Sequence, residues 1–260
     1  MKSFCLFVVI CLSPLMGFAG ELELKGTYQG DNLYVKNPYI DSGVGYCVYE
    51  VMVNGMTSSD EINSSSFEID LSVYNFSIGS PVHIVLKHKD GCLPVVINPD
   101  VIAAKATFET IDIKLENRRL KWTTTKESGV LPYIVEQYRW NKWVQVGEVE
   151  GKGIPGQHEY ELTVPLHSGE NRFRVRQTDS FNRRQLSPEV IFVNNEPPVE
   201  VLSNKVSEKL VFTKATLYEI YDIYGRIVFK GVSDTVNIAD LSKGEYYLNF
   251  DNQMSFFTKK

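Results

Sequence analysis

Apolar and polar residues alternate with a period of two along most of this chain. Phe67, Ile69, Leu71 and Val73 alternate with Glu68, Asp70 and Ser72. Val82, Ile84 and Leu86 are interleaved with His83, Val85 and Lys87, and Phe173 and Val175 with Arg172, Arg174 and Arg176. Such alternation puts one face of an extended strand in a core and the other in water, as antiparallel sandwich sheets do. Turn signals separate the runs at Asn54-Gly55, Asp90-Gly91, Lys152-Gly153 and Ser168-Gly169. The best helical candidate, Asp100–Lys105, supplies a single turn at most. Many short strands without helices predict an all-β chain of small antiparallel β-sandwiches in tandem.

The N-terminus reads differently. Lys2, the apolar run Phe4–Leu12, the breaker Pro14 and the small residues Gly17 and Ala19 form the pattern of a secretory signal peptide over residues 1–19. It predicts export across the inner membrane. No other apolar run reaches about 18 residues, so no transmembrane helix is expected in the remainder. Cys5 and Cys11 leave with the signal. Cys47 and Cys92 stay, and two cysteines in an exported chain predict one disulfide. The rest divides into blocks at 20–104, 105–195 and 199–260. The polar, proline-stiffened stretch Asn194-Asn195-Glu196-Pro197-Pro198 is the clearest linker.

Composition narrows the function classes. The chain has 260 residues, is 43% hydrophobic and 23% charged, and carries a formal net charge of −5. A core of that apolar content excludes a disordered tail. The acidic balance argues against a nucleic-acid partner, which needs a basic stripe to displace phosphate counterions. Chemistry is sparse. His83 and His88 share a strand but face opposite sides, and His158 and His167 sit near turns as surface histidines. No G-x-S-x-G, H-E-x-x-H or phosphate-loop motif occurs. No catalytic residue, metal or cofactor is expected, and the chain reads as a non-enzyme.

The second block resembles a fibronectin type III domain. Leu120-Lys121-Trp122 matches its second strand with a buried tryptophan. Residues 133–138 and 142–147 match its central hairpin, and 169–177 its sixth strand. Phe173 stands where that family usually has a tyrosine whose hydroxyl pins a corner. The resemblance implies three Ig/fibronectin III-like sandwiches rather than one large domain.

The third block is similar to the type A C-terminal sorting domain of type IX secretion cargo. The residues that carry this are TyrGluIleTyrAspIleTyrGlyArgIleVal (218–228) and ValAsnIleAlaAspLeuSerLysGlyGluTyrTyrLeu (236–248). The Pro-Asn-Pro opening of that family is replaced here by residues 196–212, which bears on whether the domain is cleaved after export. The resemblance assigns a sorting or docking motif to Asp222, Gly225, Arg226, Lys243, Gly244 and Tyr246. It implies partners among the type IX translocon or outer-membrane machinery proteins, and a detachable module behind Pro197-Pro198.

Two surface features suggest further contacts. Trp140 and Trp143 lie at a hairpin turn, where they either pack in the hairpin core or, if exposed, could stack on a sugar or anchor a protein. Arg172, Arg174 and Arg176 form a strip that is either a solvated strand face balanced by glutamates across the sheet or a surface that could meet an acidic polysaccharide or partner. The expected function is a cell-surface or secreted binding or adhesion protein, at the outer membrane or outside the cell. The alternative is an accessory component of the type IX secretion or gliding machinery, periplasmic, that keeps its sorting-like domain for docking.

Overall fold

The computed structural model describes residues 20–40 and 44–260. The signal peptide expected over residues 1–19 lies outside the described residues. The chain divides into two compact units. One runs up to Phe76 and resumes over Pro81–Ile102; the other comprises Ser77–Ser80 and Ala103–Lys260.

The first unit contains β1 (Gly20–Thr27), β2 (Leu33–Lys36), β3 (Val48–Val53), β4 (Met56–Thr57), β5 (Ser66–Ile69), β6 (Pro81–His88) and β7 (Val95–Val96). Two antiparallel sheets, ordered β1-β6-β3-β4 and β5-β2-β7, face each other. The alternating residues Leu33, Val35, Val51, Val53, Ile69, Ile84 and Leu86 fill the space between. The β3–β4 hairpin closes on Asn54 (φ 48°) and Gly55 (φ 81°), the two positive dihedrals of a primed turn. Cys47, just before β3, is bonded to Cys92, just after β6, as expected. The short helical stretch at the end of the block is a 3₁₀ turn over Pro99–Ile102.

The second unit holds two hydrophobic cores. Its first part contains β8 (Glu109–Glu116), β9 (Arg119–Thr125), β10 (Pro132–Arg139), β11 (Lys142–Glu150), β12 (His158–Thr163), β13 (Gly169–Thr178), β14 (Arg184–Leu186) and β15 (Val190–Asn194). The sheets are β12-β9-β8 and β11-β10-β13-β14, with β15 also on β13. Trp122 is the buried centre, stacked on Tyr160 and edge-on to Tyr133. Phe173 is fully buried and has no hydroxyl to give. The pin is built elsewhere: the buried Glu127 carboxylate accepts from Thr124 Oγ1 at 2.6 Å, Tyr160 OH at 2.8 Å, Tyr133 OH at 3.0 Å and the Gly153 N–H at 2.7 Å. Burial alone would raise its pKa, but these donors hold it below the ordinary carboxylate value.

The second part contains β16 (Lys205–Val206), β17 (Lys209–Tyr221), β18 (Ile227–Asn237), β19 (Gly244–Phe250) and β20 (Gln253–Lys259), in the order β16-β20-β19-β17-β18. All pairs are antiparallel except the short β16–β20 pair. The register of β17 slips between Val211 and Thr216, where Phe212 and Thr213 leave β18 to bond with Val201 and Glu200. That switch folds the sheet over Leu210, Phe212, Ile220, Leu248, Phe250 and Phe257. The third block is more than a tail on the second. It has its own core, yet it forms one compact unit with the block before it.

Candidate functional site

The sorting-motif residues gather at one end of the last sheet. Tyr221 pairs with Tyr247, so the β17–β18 turn and the Lys243-Gly244 turn lie at the same end of neighbouring strands. Asp222 organises the first turn. Its backbone N–H donates to Arg226 O at 3.0 Å, and Oδ1 accepts from the N–H groups of Tyr224 and Arg226, both at 2.9 Å. Arg226 Nε and Nη2 both reach Oδ2 at 2.7 Å. Those bonds, the Arg226 backbone N–H first, hold the Asp222 carboxyl below its usual range. Gly225 takes φ 76°, which an L side chain rarely adopts. The exposed Arg226 guanidinium thus braces its own turn.

The turn's apex carries Ile223 and Tyr224, exposed at 64% and 77%. Sequence reasoning passed over these two. The signal was there, since two large apolar residues at a turn tip have no core within reach of their own hairpin. Tyr246, by contrast, is a core residue: it stacks on Phe257 and donates to Ser242 O at 3.0 Å. Its neighbour Tyr247 faces outward beside its cross-strand partner Phe256.

The arginine strip lies on the outer face of β13, as alternation requires, but its charges are taken. Arg172 pairs with Glu189 at 2.5 Å. Arg174 and Arg176 share the buried Glu136, at 2.7 and 2.9 Å. Arg174 lies 3.9 Å from the centre of the Trp143 ring, and Arg172 lies 5.0 Å from that of Tyr138. The strip is an aromatic–arginine ladder knitted to an acid on the neighbouring strand β10 and to another in the loop before β15, with cation–π contacts stiffening its outer face.

Of the two readings open for Trp140, exposed contact residue or packed hairpin residue, the structure gives the second: it is buried. Trp140 (φ 54°) and Asn141 (φ 59°) form the two-residue turn between β10 and β11, a left-handed conformation that costs a bulky side chain about 1 kcal/mol or more. The ring is covered by the last sheet, with Nε1 donating to Phe250 O at 3.4 Å.

Around it lies a buried polar junction that no local pattern revealed. Arg139 Nη1 donates to Asp251 O at 3.4 Å, and Nη2 bonds Gln137 Oε1. Burial pulls the Arg139 guanidinium down to about 10, so it stays charged at neutral pH. The Asp251 carboxylate accepts from Ser168 N–H at 3.0 Å, from Ser168 Oγ, and from Val199 N–H at 3.2 Å. Lys142 reaches Glu219 at 2.6 Å and Tyr221 OH at 2.7 Å. Partial burial works against the Lys142 ammonium, but the Glu219 and Tyr221 bonds together with their charges outweigh it and raise its pKa.

The histidines differ from their reading as surface groups in two cases. His158 is buried with Nε2 2.9 Å from Ile154 O, and His167 is buried with Nδ1 2.7 Å from Ser168 O. His88 lies close to Cys47 and Cys92, but the two sulfurs are bonded to each other and offer no thiolate to a metal. Among the described residues no helix is long and apolar enough to cross a membrane.

Residues 201–260 match the family described as a secretion system C-terminal sorting domain. A tail of this kind implies export by the type IX secretion system to the cell surface or beyond, and contact with that machinery. No curated protein matches the chain. Distant likenesses link it to solved structures. The fibronectin(III)-like modules of Clostridium thermocellum CbhA are 13% identical with a TM-score of 0.21, covering 59% of this chain and 92% of that one. A tetra-tandem repeat from the extending region of a large adhesion protein is 11% identical with a TM-score of 0.29, covering 93% and 80%. The chicken CNTN1 FN1–FN3 domains are 10% identical with a TM-score of 0.25, covering 94% and 98%.

Proposed function

We propose that this chain is a non-enzymatic β-sandwich protein of the cell surface, routed by the type IX secretion pathway, whose upstream sandwiches serve binding or adhesion. The match of residues 201–260 to a sorting domain carries the reading. The geometry supports it, because that stretch has a core of its own and presents an ordered, exposed turn at Asp222–Arg226 with Ile223 and Tyr224 at its tip. The docking partner is a translocon or outer-membrane machinery protein. It reads this end of the sheet, where Lys243 and Gly244 form the adjoining turn. Ile223→Asp/Tyr224→Asp in the full chain tests this. Both side chains lie outside the core, so folding is kept, and the expected result is accumulation in the periplasm. Normal surface display of the variant would contradict the docking role of the turn.

One observation favours the second reading, a machinery component that keeps its last domain. The Arg139–Asp251 junction holds that domain against its neighbour. The mass of the C-terminus on mature protein separates the two: loss of residues 199–260 marks cargo, and retention marks machinery.

A further inference from the structure

The segment Asn195–Pro198 is exposed, whereas Val199 beyond it is buried. It is the natural place for a protease to cut. Yet the two sides of that cut are joined by more than the chain. On the upstream side stand Arg139, Trp140, Lys142 and Ser168; on the downstream side stand Glu219, Tyr221, Phe250 and Asp251. The junction contains a buried carboxylate together with a buried tryptophan and a buried arginine, two of the residue types that carry most binding energy at protein interfaces. Trp140 also holds a left-handed turn conformation, a cost that its contact with the last sheet helps to offset.

We propose that this junction is a clamp: cutting the exposed linker does not release the C-terminal module, which stays bound as the second chain of a two-chain protein. Release requires a second event that opens the junction. The clamp also fixes which surface outside proteins can read. Glu219, Tyr221 and Asp251 are engaged by the upstream block, so recognition falls to the Asp222–Arg226 turn and the Tyr247–Phe256 pair. The clamp stands whether or not residues 201–260 are the export signal, since it concerns only what holds them.

The test is a full-length protein with a sequence-specific protease site placed in residues 195–198, cut to completion and run on gel filtration at micromolar concentration. The expected result is a single peak holding both fragments; separate peaks would overturn the proposal. Lys142→Glu sets a like charge against Glu219 at a partly exposed position that the core does not need. It is expected to weaken the cut pair at least about tenfold. Adding Glu219→Lys restores the attraction, and the pair is expected to recover most of that loss. A Lys142→Glu pair as tight as the original, or no recovery in the double variant, would show that this face does not hold the fragments together.

Discussion

Ser168 donates its backbone N–H to the Asp251 carboxylate over 3.0 Å, across 83 residues of sequence. The bond ties the start of β13 to the turn between β19 and β20, so the last block is anchored by a charge buried at its base. Asp251→Ala leaves Ser168 and Val199 without their acceptor and takes an acid from beside Arg139. The expected cost is about 3 kcal/mol, since removing one member of a buried charged network leaves the others desolvated and unpaired. Urea denaturation of the full chain measures it.

The three tryptophans should separate by burial. Trp122→Ala opens the centre of a core and is expected to cost about 3–5 kcal/mol. Trp143→Ala loses mainly a stack with Arg174 on the outer sheet face and should cost about 1 kcal/mol. Trp140→Ala should lie well above Trp143→Ala, because its ring is covered by the last sheet. Equal losses for Trp140 and Trp143 in the same denaturation series would show that the junction adds no stability.

Acid should weaken the second unit before its carboxylates titrate. Burial, with the Arg139 charge adding to it, holds His167 below its ordinary pKa of 6.5, while Asp251 pulls the other way. The unfolded chain therefore takes up a proton that the native chain refuses. Stability is full above about pH 6.5 and falls as the pH drops below it, by at most about 1.4 kcal/mol per pH unit. Glu127 and Asp222 have lowered values and lose their contributions only further down, below the ordinary carboxylate range. Urea midpoints between pH 7 and 5.5 should fall for the native chain and flatten for His167→Gln.

The Cys47–Cys92 bond closes a separation of 45 residues. The chain-entropy model gives about 4 kcal/mol for a loop of that length. Unreduced protein should show no reactive thiol from this pair. Reduction should lower the unfolding temperature of the first unit and leave that of the second unchanged.

Gly225→Val tests the sorting turn without touching a core, since a Cβ at Gly225 meets nothing within 4 Å. The only penalty is the φ of 76°, about 1–3 kcal/mol of local strain. Stability should fall by no more than that, with the fold kept, while surface delivery should fall if the turn's shape is read.

The sequence made strands legible wherever one face is buried and the other wet. Phe67 and Ile69, or Phe173 and Val175, declare both their strand and its orientation. Asn54-Gly55 declares its turn, and the apolar Trp122 declares a core. What stayed hidden depends on partners distant in sequence. Glu127 looks like any acid between a lysine and a serine until Tyr133 and Tyr160 close over it. Alternation places Arg172, Arg174 and Arg176 on a face that glutamates could balance, but not which ones: Glu136 comes from β10 and Glu189 from the loop before β15. Trp140 sits in the turn between β10 and β11, and nothing local says that Phe250 and its sheet cover it.

The central claim is that residues 201–260 address this protein to the cell surface. The direct measurement fuses residues 103–260 to a periplasmic reporter, keeping the clamp intact, and compares it with the same fusion lacking residues 201–260. Protease accessibility on intact cells reads the outcome. The account predicts that the first reporter is degraded from outside and the second is protected in the periplasm. Equal protection, or equal exposure, of the two would contradict it.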